Sequence, residues 1–396
     1  MSSHIPEKTA RYVLNTYTRA PFVLVRGEGM FVFDSDGKRY LDFTSGISVN
    51  ALGHSDPEIA AAVQDQIGQL SHICNLYHSA PHADLAEALF TLSFADKVYF
   101  ANSGAESVEA AIKFARKYAL VTHGPGKTGI VAFSGAFHGR TAGALALTPR
   151  EKYQAPFRPL MPDVAYAPFN DIAAAEKLIG PQTCAVFVEP VQGEGGIHIA
   201  TPDFLAALRD ACDRHGALLV FDEIQCGMGR TGTLWAYEHA GIVPDMMTLA
   251  KALGGGLPIG ATLLTDRVAE VMDVGDHGST FAGGPVACRV AQVVLKRVSD
   301  PAMLAHINTM GTLLMDRMRE LRSPHIKEVR GLGLMIGIEM DMDVAPLVKS
   351  GYTHGLLVIN AGPQVLRLLP PLIVQETHIH QFADTLETIL SENAAL

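Results

Sequence analysis

Six short, nearly unbroken apolar runs occupy the middle of the chain, at residues 97–102, 129–135, 184–190, 217–223, 245–250 and 259–265. A half-buried strand alternates apolar with polar residues; most of these runs do not, which is the pattern of strands covered on both faces. Helical segments lie between them. In 201–215, Thr201 can cap the helix, Pro202 suits its first position, and Phe204, Leu208 and Ala211/Cys212 recur at helical spacing before Gly216 ends it. Strands and helices in alternation predict an α/β architecture around a parallel sheet. Ahead of this region, FVF and RYLDF flank Asp34-Ser35-Asp36-Gly37, a turn cluster that predicts a β-hairpin. Beyond about residue 290, a helical stretch leads into apolar runs at 331–340, 356–360 and 365–374, expected to form a smaller α+β unit.

Composition narrows the function. With 31 Lys and Arg against 41 Asp and Glu, the net charge is −10, which argues against a nucleic-acid partner, since phosphate backbones call for a basic face. No apolar run approaches the ~18 residues of a membrane span, and residues 1–10 lack the apolar core of a signal peptide, so a cytoplasmic protein without a membrane partner is expected. Five cysteines, an odd number with no CxxC spacing, argue against a disulfide framework and a thiolate zinc site. His378 and His380 form an HxH pair with no accompanying ligand set, so surface or packing roles are expected and no metal is assigned.

The polar residues of the central region cluster after the apolar runs: Asn102-Ser103-Gly104, Phe137 through Arg140, Glu189 through Glu194, Asp222 through Gln225, and Lys251. Open α/β sheets bind ligands outside the carboxyl ends of their strands, so these five clusters predict one shared site. In the first, Val108, Ala111/Ile112, Ala115 and Ala119 form one helical face, with Ser103 as cap and Gly104 permitting close approach of a ligand. A helix N-terminus attracts phosphate, although an ordinary capped helix would read the same way.

Asp222 and Lys251 could form a structural ion pair. They are also what pyridoxal phosphate chemistry requires: an amine for a Schiff base with the cofactor aldehyde, and a carboxylate to hold the pyridinium nitrogen. Two nucleotide-like signals are weaker. The GKT at 126–128 lacks the upstream glycine of a phosphate loop, where Val121 stands. Gly227, Gly229 and Gly232 match GxGxxG, yet they follow the acidic Asp222-Glu223 instead of preceding an acidic ribose ligand.

Together, NSGAESVEAAIKFARK (102–117), AFHGRT (136–141), EPVQGEGG (189–196), DEIQCGMGRTG (222–232), LAKALGGGLPIGA (249–261) and GSTFAGGPVAC (278–288) resemble the class III, pyridoxal-phosphate-dependent aminotransferases of fold type I, and most of all their acetylornithine aminotransferase branch. The resemblance implies a large domain with a mainly parallel sheet over 56–290. It also implies a small domain built from the N-terminal segment 1–55 and the C-terminal 291–396. Lys251 would be the Schiff-base lysine and proton shuttle, and Asp222 the pyridinium partner. Gln225 would bond the ring hydroxyl and Phe137 would stack on the ring. Ser103, Gly104 and Ala105 would bind the phosphate. Thr280 would reach the phosphate from the neighbouring subunit of a homodimer, with Ser279 as a substrate contact beside it. Arg140 would anchor the donor carboxylate, Arg367 that of the oxoacid, and Glu194 would mask Arg367 when no oxoacid is bound.

The implied reaction transfers the terminal amino group of N2-acetylornithine to 2-oxoglutarate, giving N-acetylglutamate 5-semialdehyde and glutamate, as in arginine biosynthesis. The same fold also serves ornithine, succinylornithine, 4-aminobutyrate and carrier-linked lysine-precursor aminotransferases, and an aminomutase. Readings of other classes are a non-enzymatic cofactor-binding dimer and a nicotinamide dehydrogenase. Two positions depart from the family pattern: Gly283-Gly284-Pro285 stands where GGNP is usual, and Cys226 replaces a common threonine.

Overall fold

The apolar runs assemble into a seven-stranded sheet. In this computed structural model, which describes residues 4–321 and 323–393, the sheet comprises β1 (Lys97–Ala101), β2 (Gly129–Phe133), β3 (Val164–Ala167), β4 (Thr183–Val188), β5 (Leu218–Asp222), β6 (Met246–Leu249) and β7 (Gly260–Leu264). Their spatial order is β1-β7-β6-β5-β4-β2-β3. Successive residues serve opposite faces, as expected for doubly covered strands. Leu218 and Val220 of β5 pack in one core cluster with Val108, Ile112 and Ala115 of helix Gly104–His123. Leu219 and Phe221 join the other, with Phe204, Leu208 and Cys212 of helix Pro202–His215.

Two features depart from the expected parallel sheet of six strands. β7 runs antiparallel to both β6 and β1. Only residues 250–259 connect β6 to β7, short of the dozen or so that a crossover to a parallel neighbour needs. The chain therefore doubles back through a single 3-10 turn, Lys251–Gly254. β3 is the additional strand; it lies at the sheet edge beside β2. Pro162 and Pro168 flank it, and prolines near a run weaken its reading as a strand except at an edge.

The helix caps follow the expected chemistry. Ser103 Oγ accepts from Glu106 N, and Thr201 Oγ1 accepts from Phe204 N at 3.2 Å. Gly216, at φ +63°, closes the second helix, and Lys127 Nζ donates to its terminal carbonyl at His215. The lysine of the GKT run thus has a structural role as a cap. No helix opens at Gly232; instead the 227–232 turn is fastened by the buried Arg230, whose Nη1 donates to Leu334 O and Pro370 O.

The expected N-terminal hairpin forms, with Phe31 opposite Leu41 and Phe33 opposite Arg39. Asp34 Oδ1 accepts from the N–H groups of Asp36 and Lys38, both at 2.9 Å, and Gly37 takes φ +83°. Strand Arg39–Asp42 then pairs in parallel with Leu356–Leu357, joining the two ends of the chain. A second sheet, ordered Ile326–Leu332, Met335–Met340, Val365–Leu368, Ile359–Asn360, carries Arg367 on its third strand.

Among the described residues no helix is long and apolar enough to cross a membrane, and no group of three or more His, Cys, Asp or Glu side chains is arranged to hold a metal. His378 and His380 are engaged locally: His378 Nδ1 accepts from Gln375 N, and His380 Nε2 meets Glu376 Oε1.

Candidate active site

All five polar clusters line one cavity of about 480 Å³ at the carboxyl ends of the strands. β1 ends at Ala101 and delivers Ser103, Gly104 and Ala105 at the start of the long helix, whose first N–H groups have no intrahelical partner. Gly104 leaves room there for Ile224: a Cβ would lie 2.8 Å from Ile224 Cδ1 and force that side chain to shift. The segment after β2 brings in Phe137, His138 and Arg140, and that after β4 brings in Glu189 and Glu194.

Asp222 closes β5 and is sealed from solvent. Its Oδ2 lies 2.7 Å from His138 Nδ1, and its Oδ1 accepts from Ile224 N at 3.0 Å. Lys251 sits in the tight return between β6 and β7, with its backbone in the left-handed region at φ +45°. Such a conformation in a residue other than glycine costs roughly 1–3 kcal/mol, and Lys251 lines the cavity. Burial lowers the Lys251 amine to about 8, with Glu194 opposing and Arg367 adding to the effect. Among the described residues its amine has no hydrogen bond or ion pair. The ion pair with Asp222 that the sequence left open does not form; Asp222 is taken by His138 instead.

Arg367, by contrast with Lys251, is paired. Arg367 is fully buried; its Nη1 donates to Glu194 Oε1 at 2.5 Å and to Gln225 Oε1 at 3.1 Å. Burial would raise the Glu194 carboxyl, but Arg367 beside it, with Lys251 and Arg150 nearby, holds it below the ordinary range. Arg140, by contrast, is exposed and lies over Tyr153, its Cζ 3.4 Å from the ring centre, with no acidic partner among the described residues.

Two expected residues stand apart. Ser279 is held at the cavity edge, where its Oγ accepts from Asn102 Nδ2 at 2.9 Å. Thr280 is exposed and does not line the cavity of its own chain. The departures nearby are accommodated: Pro285 opens helix Pro285–Val298 directly after Gly284. Cys226 is buried, its thiol pushed well above its ordinary value by burial, and its Sγ donates to Asp222 O.

Two site residues lay within the polar clusters without an assigned role. One is His138. Burial would lower its imidazole, but the hydrogen bond and charge of Asp222 raise it above the ordinary 6.5. The other is Glu189, which accepts from Phe137 N at 3.1 Å and Gly193 N at 3.4 Å. Burial pushes its carboxyl up to about 7. The only sequence signal for either was its place just after a strand.

Comparison with known proteins agrees with this architecture. The family model described as "Aminotransferase class-III" matches residues 12–390. A mitochondrial acetylornithine aminotransferase from Alnus glutinosa is 48% identical over 98% of this chain and 87% of its own. A succinylornithine transaminase from Yersinia pseudotuberculosis is 46% identical over 93% of this chain and 92% of its own. The crystal structure of a Toxoplasma gondii ornithine aminotransferase, with pyridoxal phosphate at partial occupancy in its active site, superposes with a TM-score of 0.94 at 30% identity. It covers 98% of this chain and 93% of that one. With a family match across nearly its whole length and a lysine, a carboxylate and a helix N-terminus meeting in one cavity, the chain belongs to the class III, pyridoxal-phosphate-dependent aminotransferases.

Proposed function

We propose that the chain transfers the terminal amino group of N2-acetylornithine to 2-oxoglutarate, giving N-acetylglutamate 5-semialdehyde and glutamate. The observation that carries this reading is the contrast between its two arginines: Arg140 at the cavity with no acidic partner among the described residues, Arg367 closed by Glu194. A guanidinium binds a carboxylate through a planar fork. An open Arg140 suits the donor's α-carboxylate and points the distal amine inward. A masked Arg367 keeps a second carboxylate out until an oxoacid displaces Glu194.

The cavity fits the cofactor on this chain's own features: first-turn N–H groups at Gly104 and Ala105 that lack intrahelical partners, a sealed carboxylate at Asp222, and a lysine amine without a partner among the described residues. When bound, pyridoxal phosphate supplies an electron sink for cleavage of the bond to hydrogen at the amine-bearing carbon. Ser103, Gly104 and Ala105 would bind its phosphate, Phe137 would cover its ring, and Gln225, whose Oε1 is engaged by Arg367, would offer its amide nitrogen to the ring hydroxyl. Asp222, backed by His138, would hold a proton on the ring nitrogen. The Lys251 amine, lowered to about 8, is poised to take and return a proton near neutral pH.

The reading includes a homodimer in which Thr280 serves the partner's phosphate site, beside Ser279 as a substrate contact. Exposed Leu76, Tyr77 and Phe281, the last beside Thr280, support a covered surface there. We further read 1–55 with 291–396 as the small domain and 56–290 as the large one. A cytoplasmic setting is supported by five free cysteines, four of them buried, which suit a reducing compartment.

Succinylornithine is the second reading for the donor, because relatives named for the two acyl groups are 48% and 46% identical to this chain. A half-reaction titration tests both. The cofactor's visible absorption is followed as N2-acetylornithine, succinylornithine, ornithine and 4-aminobutyrate are each added without an oxoacid. Bleaching by N2-acetylornithine at the lowest concentration supports the proposal; a lower concentration for another amine reassigns the donor.

A further inference from the structure

Arg150 stands beside the site without lining its cavity. It precedes the short helix Glu151–Gln154, and its carbonyl accepts from Tyr153 N at 2.8 Å and Gln154 N at 3.0 Å, which fixes its backbone. Its side chain turns back toward the site: Nη2 donates to the main-chain carbonyl of Glu194. Its Cζ lies 5.7 Å from the centre of the Tyr153 ring, the ring on which Arg140 rests. Arg150 makes no ion pair among the described residues. The adjacent Glu151 is taken by Arg158, through Nη1–Oε1 at 2.8 Å. An unpaired cation therefore stands against the residue whose carboxylate masks Arg367, close enough to help hold that carboxyl below its ordinary range.

Opening the mask has an electrostatic consequence. When an oxoacid carboxylate takes Arg367, the Glu194 carboxylate, only 22% exposed, loses its partner. An unpaired charge in a partly buried site is costly, so opening is favoured if a second cation stands within reach. We propose that Arg150 is that second cation: it receives the Glu194 carboxylate when the oxoacid binds, and so sets the affinity for the acceptor. The inference rests on the reading of Glu194 as a gate.

The test measures the two half-reactions separately on the cofactor-loaded, full-length protein, following the cofactor's visible absorption. Donor is N2-acetylornithine and acceptor is 2-oxoglutarate; the variants are Arg150→Gln, Arg150→Lys, Glu194→Ala and the double variant Arg150→Gln/Glu194→Ala. In the Arg150→Gln protein the half-saturating concentration of the acceptor should rise about tenfold, the scale of one lost charge-assisted contact. The limiting rate and the donor half-reaction should stay within about twofold, and Arg150→Lys should recover part of the loss. In the Glu194→Ala background, Arg150→Gln should have no further effect on the acceptor, because no carboxylate remains to be received. Equal losses in both backgrounds, or no loss in the first, overturn the role of Arg150. If Glu194→Ala alone leaves donor and acceptor preference unchanged, the gate itself fails and the inference falls with it.

Discussion

The imidazole Nδ1 of His138 lies 2.7 Å from Oδ2 of Asp222, and both side chains are closed to solvent. The pair is held from both sides. His138 N donates to Thr148 Oγ1 at 2.9 Å, and Asp222 is the terminal residue of β5, paired in register with Thr248 of β6. A carboxylate in so dry a setting needs hydrogen-bond donors, and His138 supplies one beside the Ile224 N–H.

Replacing His138 by Asn should therefore loosen the cofactor. A hydrogen bond to a charged group contributes about 1.5–3 kcal/mol, so retention through dialysis should weaken by roughly 10–100-fold. The pH dependence has a definite sign. The folded-state pKa of His138 is raised above 6.5, so the pair's stabilisation is complete below about pH 6.5 and is lost as pH rises through the raised value. Urea midpoints of wild type should show that decline and those of His138→Asn should lack it. Equal slopes in the two proteins would refute the account.

Lys251 yields the opposite dependence. Its folded-state pKa, about 8, lies below the 10.5 of a free lysine, so the unfolded chain binds the extra proton between those values. Stability should rise with pH across that window and the rise should vanish in Lys251→Met, which should also be the more stable protein at pH 7. Cofactor capture by the apo-protein should accelerate as pH rises toward and past about 8, since the neutral amine is the nucleophile. Turnover should fall by at least ~10²–10⁴-fold in the variant, the range for a positioned acid–base group. Residual turnover within tenfold of wild type would rule out the assignment.

Much of this was readable in the chain. The apolar runs identified six of the seven central strands, because strands buried on two faces cannot hide a polar pattern. The caps at Ser103 and Thr201 were legible because capping is a local interaction. β3 was not, since flanking prolines weaken the strand signal and its place at the sheet edge is a tertiary fact. The antiparallel return of β7 was implicit in the short connection through Lys251. Among the site residues, Asp222 and Lys251 were visible from type and position after a strand. His138, Glu189 and Arg150 were not assigned, because what distinguishes each is a contact 84, 52 or 44 residues away along the chain.

Gly193 offers a test of how tightly Arg367 is packed. A Cβ there would stand 2.2 Å from Gln225 Oε1, the atom that accepts from Arg367. Gly193→Ala should displace Gln225 and disturb the Glu194–Arg367–Gln225 cluster. Overpacking of this kind destabilises by about 1–3 kcal/mol, read as a shift in the urea midpoint, and the KM for the oxoacid should rise. Gly180, with open space around its Cβ direction, is the control: Gly180→Ala should leave both quantities unchanged. If the two variants behave alike, the packing argument fails.

Glu109 ties the loop that carries Arg140 to helix Gly104–His123. A single oxygen, Oε1, accepts from Thr141 Oγ1 at 2.6 Å, Gly143 N at 2.8 Å and Ala144 N at 3.1 Å, so a residue on helix Gly104–His123 caps helix Ala142–Ala146 immediately after Arg140. Gly143 is part of the fit, since a Cβ there would lie 2.3 Å from Glu109 Oε2. Removing the carboxylate frees the loop that carries Arg140 while leaving Lys251 and Asp222 in place. Glu109→Ala should raise the KM for the donor by about tenfold or more, with a smaller change in kcat and in the KM for the oxoacid, because each lost charged hydrogen bond is worth about 1.5–3 kcal/mol. Glu109→Gln keeps one acceptor oxygen and should fall between the two. A matched rise in both Michaelis constants would show general loosening of the fold and would exclude a specific hold on Arg140.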